Sequence, residues 1–236
     1  MEFLKSKNTI LLIIAVFALV LVGVFQMNES SQDEGDSGSE LSEWRSNIQI
    51  DEDTRLLLEQ RLKMLEASLA ARESAGEEIH LDTYSFVAET AWYLGDLVTA
   101  LKYYEIALDG NAINYVTWNN HGNVLKAMGD LEGALESYGQ AMNLYPFEEY
   151  YRDYVLLYQQ VFPEDTETVK EVLEMAVDEV GQTQWLMTAL GDWYLADGDC
   201  DRAVSHYEVA RGLEVVEEVK AEFDEMIAEA KQACAE

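Results

Sequence analysis

The triplet Gly-Asp-Leu stands at residues 95–97 and again at 129–131, 34 residues apart, and Gly-Asp-Cys follows at 198–200, one period of 34 and one of 35 further on. Small and aromatic residues keep phase with it. Ala100, Tyr104 and Ala107 follow the first triplet, Ala134, Tyr138 and Ala141 the second, and Ala203, Tyr207 and Ala210 the third. Self-similarity at a period of this length marks a stacked array, in which no unit buries its apolar face alone and each covers the next. Spacings of three and four place the small residues and the tyrosine of each set on one side of a helix. Gly95, Gly129 and Gly198 can take the left-handed backbone that ends a helix, and the Asp after each can accept from the first amides of the next. The pattern predicts helix–turn–helix units and an all-α fold.

Period, phase and residue type together resemble the tetratricopeptide-repeat (TPR) family, whose hairpin carries an aromatic, Leu-Gly and Tyr on its first helix and small, aromatic, small and Pro positions on its second. Residues 115–148 match with Trp118, Gly122, Ala134, Tyr138, Ala141 and Pro146, although His121 and Leu125 stand for Leu and Tyr. Residues 81–114 match with Tyr84, Ala88, Ala100, Tyr104 and Ala107, with Ala112 for the Pro. Residues 184–217 carry Leu190, Gly191, Tyr194, Ala203, Tyr207 and Ala210. Residues 149–182 fit by length alone, with Thr168 and Met175 at the two small positions and Pro163 in the turn, and read as a degenerate repeat. The resemblance implies a right-handed α-α superhelix of four hairpins over 81–217. Small residues are needed where two helices cross closely, so that the aromatics can fill the remaining gaps.

Both ends of such a stack need covers. Residues 51–75, within an N-terminal segment 51–80, place Leu58, Leu62, Leu65 and Leu69 in one stripe, with Asp51 or Asp53 as N-cap. This helix packs on the first repeat or pairs with a copy of itself as a homo-oligomer. At the other end, residues 214–236 hold Val215, Val219, Phe223, Met226, Ile227 and Ala230 at helical spacing, a capping helix.

Ahead of the repeats, residues 1–8 are followed by an uncharged apolar run, 9–27, of 19 residues. As a helix it would reach about 28 Å, the thickness of a bilayer's hydrocarbon core, so a transmembrane helix is expected. Lys5 and Lys7 precede it and Arg45 is the first basic residue after it, which predicts a cytoplasmic N-terminus and an extracytoplasmic TPR domain on the cytoplasmic membrane. The alternative is a cleaved signal peptide and secretion, although Val22-Gly23-Val24-Phe25-Gln26-Met27 is a poor cleavage site. Residues 28–50, rich in Ser, Gly and acids, read as a linker. The layout is similar to that of membrane-anchored prokaryotic TPR proteins.

The chain has 46 acidic and 15 basic residues, a formal net charge of −31. Such a surface repels phosphate backbones, which excludes nucleic acid as a natural partner. It serves solubility or a salty compartment, or it attracts basic partners. Nucleophile-elbow, zinc-protease, P-loop and dinucleotide signatures are all missing, and His80, His121 and His206 are scattered, so neither an enzyme nor a metal or cofactor is expected. Cys200, in the last hairpin's turn, and Cys234, at the end of the capping helix, fall near one end of the stack; they form a disulfide or remain thiols.

The resemblance also implies where a partner binds: on the concave face lined by the first helix of each repeat. Carried over, those positions are Asp82, Ser85, Glu89, Trp92 and Tyr93; Val116, Asn119, Asn123, Lys126 and Ala127; Tyr150, Asp153, Leu157, Gln160 and Val161; and Trp185, Thr188, Asp192, Leu195 and Ala196. The Lys/Arg/Asn clamp that some TPR domains use for a C-terminal carboxylate fails here. Ser85, Glu89, Tyr150 and Tyr154 occupy its places and only Asn120 matches. The expected ligand is a protein or peptide carrying basic and apolar residues, with Asn119 and Asn123 bonding its backbone. Trp92 and Trp185 either face that ligand or pack between repeats.

Overall fold

The structure is a computed structural model that describes residues 50–233, which belong to one compact unit. The expected anchor at 9–27, nearly all of the linker and Cys234 lie outside the described residues. Among the described residues there are ten helices: α1 (Glu52–Ser74), α2 (Leu81–Leu94), α3 (Leu97–Gly110), α4 (Tyr115–Ala127), α5 (Leu131–Leu144), α6 (Glu148–Val161), α7 (Thr166–Val180), α8 (Gln184–Ala196), α9 (Cys200–Leu213) and α10 (Glu217–Ala233). None of these is long and apolar enough to cross a membrane. Consecutive helices pair antiparallel as four hairpins, α2/α3 to α8/α9, each packed on the next; α1 covers the first and α10 the last.

The turns explain why the helices start and stop where they do. Gly95, Gly129 and Gly198 have φ of 76°, 84° and 83°, the left-handed backbone expected of them. Asp96, Asp130 and Asp199 then accept from the amides of Thr99, Gly133 and Arg202, which caps α3, α5 and α9. Asn114 and Thr183 cap α4 and α8 in the same way. Asp51, not Asp53, caps α1.

Inside each ordinary hairpin the small residues let the helices close until a tyrosine fills the space. Ala100, Ala134 and Ala203, Ala107, Ala141 and Ala210, and Ala88, Gly122 and Gly191 are all buried beside Tyr104, Tyr138 and Tyr207. The approach is so close that a Cβ on Gly122 would lie 2.7 Å from the Tyr138 ring, and one on Gly191 would lie 2.4 Å from the Tyr207 ring. Trp118 is half-buried and ties its helix to the preceding loop through an indole N–H donated to the Ala112 carbonyl at 2.8 Å. Pro146 is exposed, in the three-residue link before α6.

The third hairpin departs from the expected register. Its α7 is capped by Asp165, whose carboxylate accepts from the Thr168 amide at 3.3 Å, from its hydroxyl at 2.9 Å and from the Tyr158 hydroxyl at 2.7 Å. Counted from that cap, the two small positions and the tyrosine position fall on Val169, Ala176 and Leu173, all buried, and not on Thr168 and Met175, which are half-buried. The first helix is displaced too. It begins at Glu148 after Phe147, so Val155 sits where Ala88, Gly122 and Gly191 sit in the others. The link before α6 is one residue short of the period and the turn at 162–165 adds two residues, which leaves the net extra residue seen in the sequence. Valine at both crossing points holds the helices apart, and α6 and α7 touch far more sparsely than the two helices of any other hairpin do. Ala176→Leu should therefore cost about 1–3 kcal/mol by overpacking, and Met175→Leu clearly less. Urea unfolding of the two variants measures this, and equal costs would contradict the shifted register.

At the ends, Leu69 of α1 is buried and Leu58, Leu62 and Leu65 are half-buried, while Leu56, Leu57 and Met64 remain exposed. The C-terminal cover starts three residues later than its apolar pattern suggests. Val215 is 84% exposed because the Glu214 carboxylate accepts from the amides of Val215 and Val216 and ties down the link ahead of α10. Phe223, Ile227 and Ala230 are buried, with Val219 and Met226 partly so.

Candidate partner-binding face

The first helices of the four hairpins, α2, α4, α6 and α8, share one open face. Phe86 and Tyr93 of α2, Val116 of α4 and Leu156 of α6 are each about half exposed on these helices, with Asp82 and Lys126 beside them. Val116 and Tyr93 were expected there. Phe86 and Leu156 were not, since one lies outside the carried-over positions and the other enters through the register change.

Several of the expected contact residues also serve the fold. The Tyr138 hydroxyl donates to Asn123 Oδ1 at 2.7 Å, and the Tyr207 hydroxyl donates to Asp192 Oδ1 at 2.7 Å. Tyr104 is hydrogen-bonded to Asn120 with Glu89 nearby. Burial pushes all three phenols well above the ordinary tyrosine range, so each stays a donor at any physiological pH. Asn123 and Asp192 are thus the polar ends of buried tyrosines, fifteen residues ahead of their partners. In the third hairpin Leu173 replaces the tyrosine and Leu156 replaces its acceptor, so hydroxyl and acceptor are lost together.

The register change also removes two residues from the open face. Leu157 is fully buried and Tyr150 is 9% exposed; Tyr150 lies in a ring cluster with Tyr115 at 6.0 Å and Phe147 at 5.7 Å. Trp92 and Trp185 are partly buried and pack against the core, Trp92 in the first hairpin and Trp185 in the fourth. Cys200 is held in a disulfide.

Asn119 and Asp153 come together where α4 meets α6. The Asn119 amide donates to the Asp153 carboxylate, and its own Oδ1 is buried with no hydrogen-bond partner. Burial raises the Asp153 pKa above the ordinary range, Glu149 raises it further, and Arg152, Lys126 and the Asn119 bond act against this. A raised carboxyl pKa means that the folded chain holds this proton more tightly than the unfolded chain does. The contribution is present below the ordinary Asp value, about 3.9, and is lost as pH rises through the raised value. Asp153→Asn should therefore raise the melting temperature at neutral pH and leave it unchanged below that value. A lower melting temperature at neutral pH would show that the charge helps the fold. Among the described residues no three His, Cys, Asp or Glu side chains form a metal-holding cluster.

No family model and no curated protein matches the chain. Solved structures do. MamA aligns with a TM-score of 0.56 at 16% identity, over 74% of this chain and 99% of that one. PilF of Pseudomonas aeruginosa aligns with a TM-score of 0.53 at 16% identity, over 85% and 90% of the two chains. Yeast Tom70 aligns with a TM-score of 0.57 at 17% identity, over 87% of this chain and 45% of that one. All three are TPR proteins, and at such identities the likeness is one of fold: the described residues fold as a TPR solenoid.

Proposed function

We propose that the chain is a membrane-anchored interaction scaffold or assembly factor, with a right-handed TPR superhelix that holds a protein or peptide along the open face of its first helices. The observation that carries this is the uncovered apolar series Phe86, Tyr93, Val116 and Leu156, running across three successive hairpins with acids among it. Exposed apolar residues aligned over several elements are the mark of a recognition surface, and the charge balance favours a partner with basic as well as apolar side chains. The anchor is residues 9–27, uncharged and long enough to span a bilayer. Lysines ahead of it favour repeats on the extracytoplasmic side, where a Cys200–Cys234 bridge would persist.

A peptide array probed with the full chain tests the scaffold. Retained peptides should be rich in Lys or Arg with apolar neighbours, and Tyr93→Ala together with Leu156→Asp should abolish retention. Retention unchanged by that pair would place binding elsewhere. Asp192→Lys is unsuited to this test, because it breaks the bond to Tyr207.

A second arrangement, self-association, is favoured by the exposed Leu56, Leu57 and Met64 of α1. Sedimentation of Leu57→Glu against the unaltered chain separates the two: a fixed dimer that dissociates in the variant supports a structural subunit, and a monomer in both supports the scaffold.

A further inference from the structure

The seam between α4 and α6 holds two hydrogen-bond acceptors and too few donors. Asn119 Oδ1 is buried without a partner in a side chain that is 9% exposed. An orphaned buried acceptor of that kind is costly, because its desolvation is not repaid. Beside it, Asp153 receives the Asn119 amide, and among the described residues no ion pair reaches it within 4.0 Å. A carboxylate offers about four lone-pair sites, so Asp153 has more to fill. The nearest cations do not fill them. Arg152 is turned to Glu148 and Glu149, at 3.8 and 4.0 Å, and Lys126 is exposed. The amide orientation is set by chemistry: turned over, it would point its oxygen at the carboxylate and leave a donor orphaned instead.

A group that satisfies both acceptors must bring several N–H donors and a positive charge. We propose that the α4–α6 seam is a subsite for the cationic end of a partner's lysine or arginine side chain, held between the Asp153 carboxylate and the Asn119 carbonyl. This rests on the open face being the partner's seat. Asp153, the more open of the two, meets the cation first. The cation's N–H donors then replace the Asn119 amide on the carboxylate, and a turn of the Asn119 terminal torsion, which is broad and soft, brings its oxygen to the cation and carries its amide off the carboxylate. The bonds formed are charge-assisted, the strong kind in a partly desolvated setting.

The side-chain amide signal of Asn119, followed by NMR in the full chain, reads the subsite directly. The probe is n-butylammonium, with n-butanol and tetramethylammonium as controls, the first lacking charge and the second lacking N–H donors. Butylammonium should shift the Asn119 signal saturably and the controls should not. Asp153→Asn, expected to fold at least as well as the unaltered chain, should weaken the effect about 10- to 150-fold. Glu164→Gln, an equal charge change in an exposed turn, should leave it intact. A shift of equal size with tetramethylammonium, or one that survives Asp153→Asn, overturns the subsite. The two proposals fail separately. Array peptides without Lys or Arg that bind the unaltered chain and Asp153→Asn equally would keep the face and remove the subsite. A saturable Asn119 response from a chain that retains no array peptide would keep the subsite and remove the face.

Discussion

Tyr138→Ala is expected to remove about 3–5 kcal/mol of stability, the range for emptying the site of a large buried ring. The side chain is 1% exposed, lies against Gly122 and its neighbours and ends in a 2.7 Å bond to Asn123, so nothing nearby can collapse into the space without unmaking the α4/α5 crossing. Its place in the second of four hairpins gives the loss a particular form. In a stacked array each unit is supported mainly by its neighbours, so a weakened interior unit uncouples the two sides. Guanidinium unfolding followed by circular dichroism and by tryptophan fluorescence should change from coincident to separate transitions. Tyr138→Phe keeps the ring and should lose only the hydrogen bond, about 1 kcal/mol, with the transitions still coincident. A loss of that size for the alanine variant would mean that the ring does not fill the crossing.

Two helical glycines should respond with opposite sign to the same added methyl group. At Gly191 the new Cβ would lie 2.4 Å from Cε1 and 2.6 Å from Cδ1 of Tyr207, a ring that is 1% exposed and tied to Asp192. The clash is with the ring itself rather than with a flexible end, so Gly191→Ala should cost about 1–3 kcal/mol by overpacking. At Gly212, in the last turn of α9, nothing lies within 4 Å of the added atom. There Ala should be neutral or up to about 1 kcal/mol stabilising, the ordinary preference for Ala over Gly in a helix. Thermal unfolding reads both. Adding Tyr207→Leu to Gly191→Ala should recover part of the loss, an interaction energy that only contacting residues show. Additive losses would separate the two residues.

The repeat was legible because its signal is redundant. Glycine, aspartate, alanine and tyrosine recur together, and each is forced by a different constraint of the same hairpin: the left-handed turn, the cap, the close crossing and the space left over. The third hairpin was misplaced because its turn has no glycine to mark it. Phe162 and Pro163 occupy the turn, the residue short before α6 and the two extra in the turn nearly cancel, and the total length conceals both. The cap could have revealed the shift, since Asp165 precedes Thr168 just as Asp96 precedes Thr99. The structural role of residues on the expected face is hidden for a related reason. An Asn or Asp on an outward helix position suggests a ligand, yet Asn123 and Asp192 each also accept from a hydroxyl fifteen residues later. Pairing across that interval is a property of the folded hairpin and shows in sequence only when several repeats are compared. The donor shortage at Asn119 depends on which atoms meet at a seam, and no spacing encodes it.

Mechanically, the third hairpin makes the solenoid uneven along its length. The hairpins before and after it are clamped by alanine, glycine and tyrosine, whereas α6 and α7 are propped apart by valines and joined by a longer turn. Two stiff blocks are thus linked by a compliant one. Under a pulling force on its ends such a chain yields in the middle first, and a cargo laid along it would feel a surface that bends at one place.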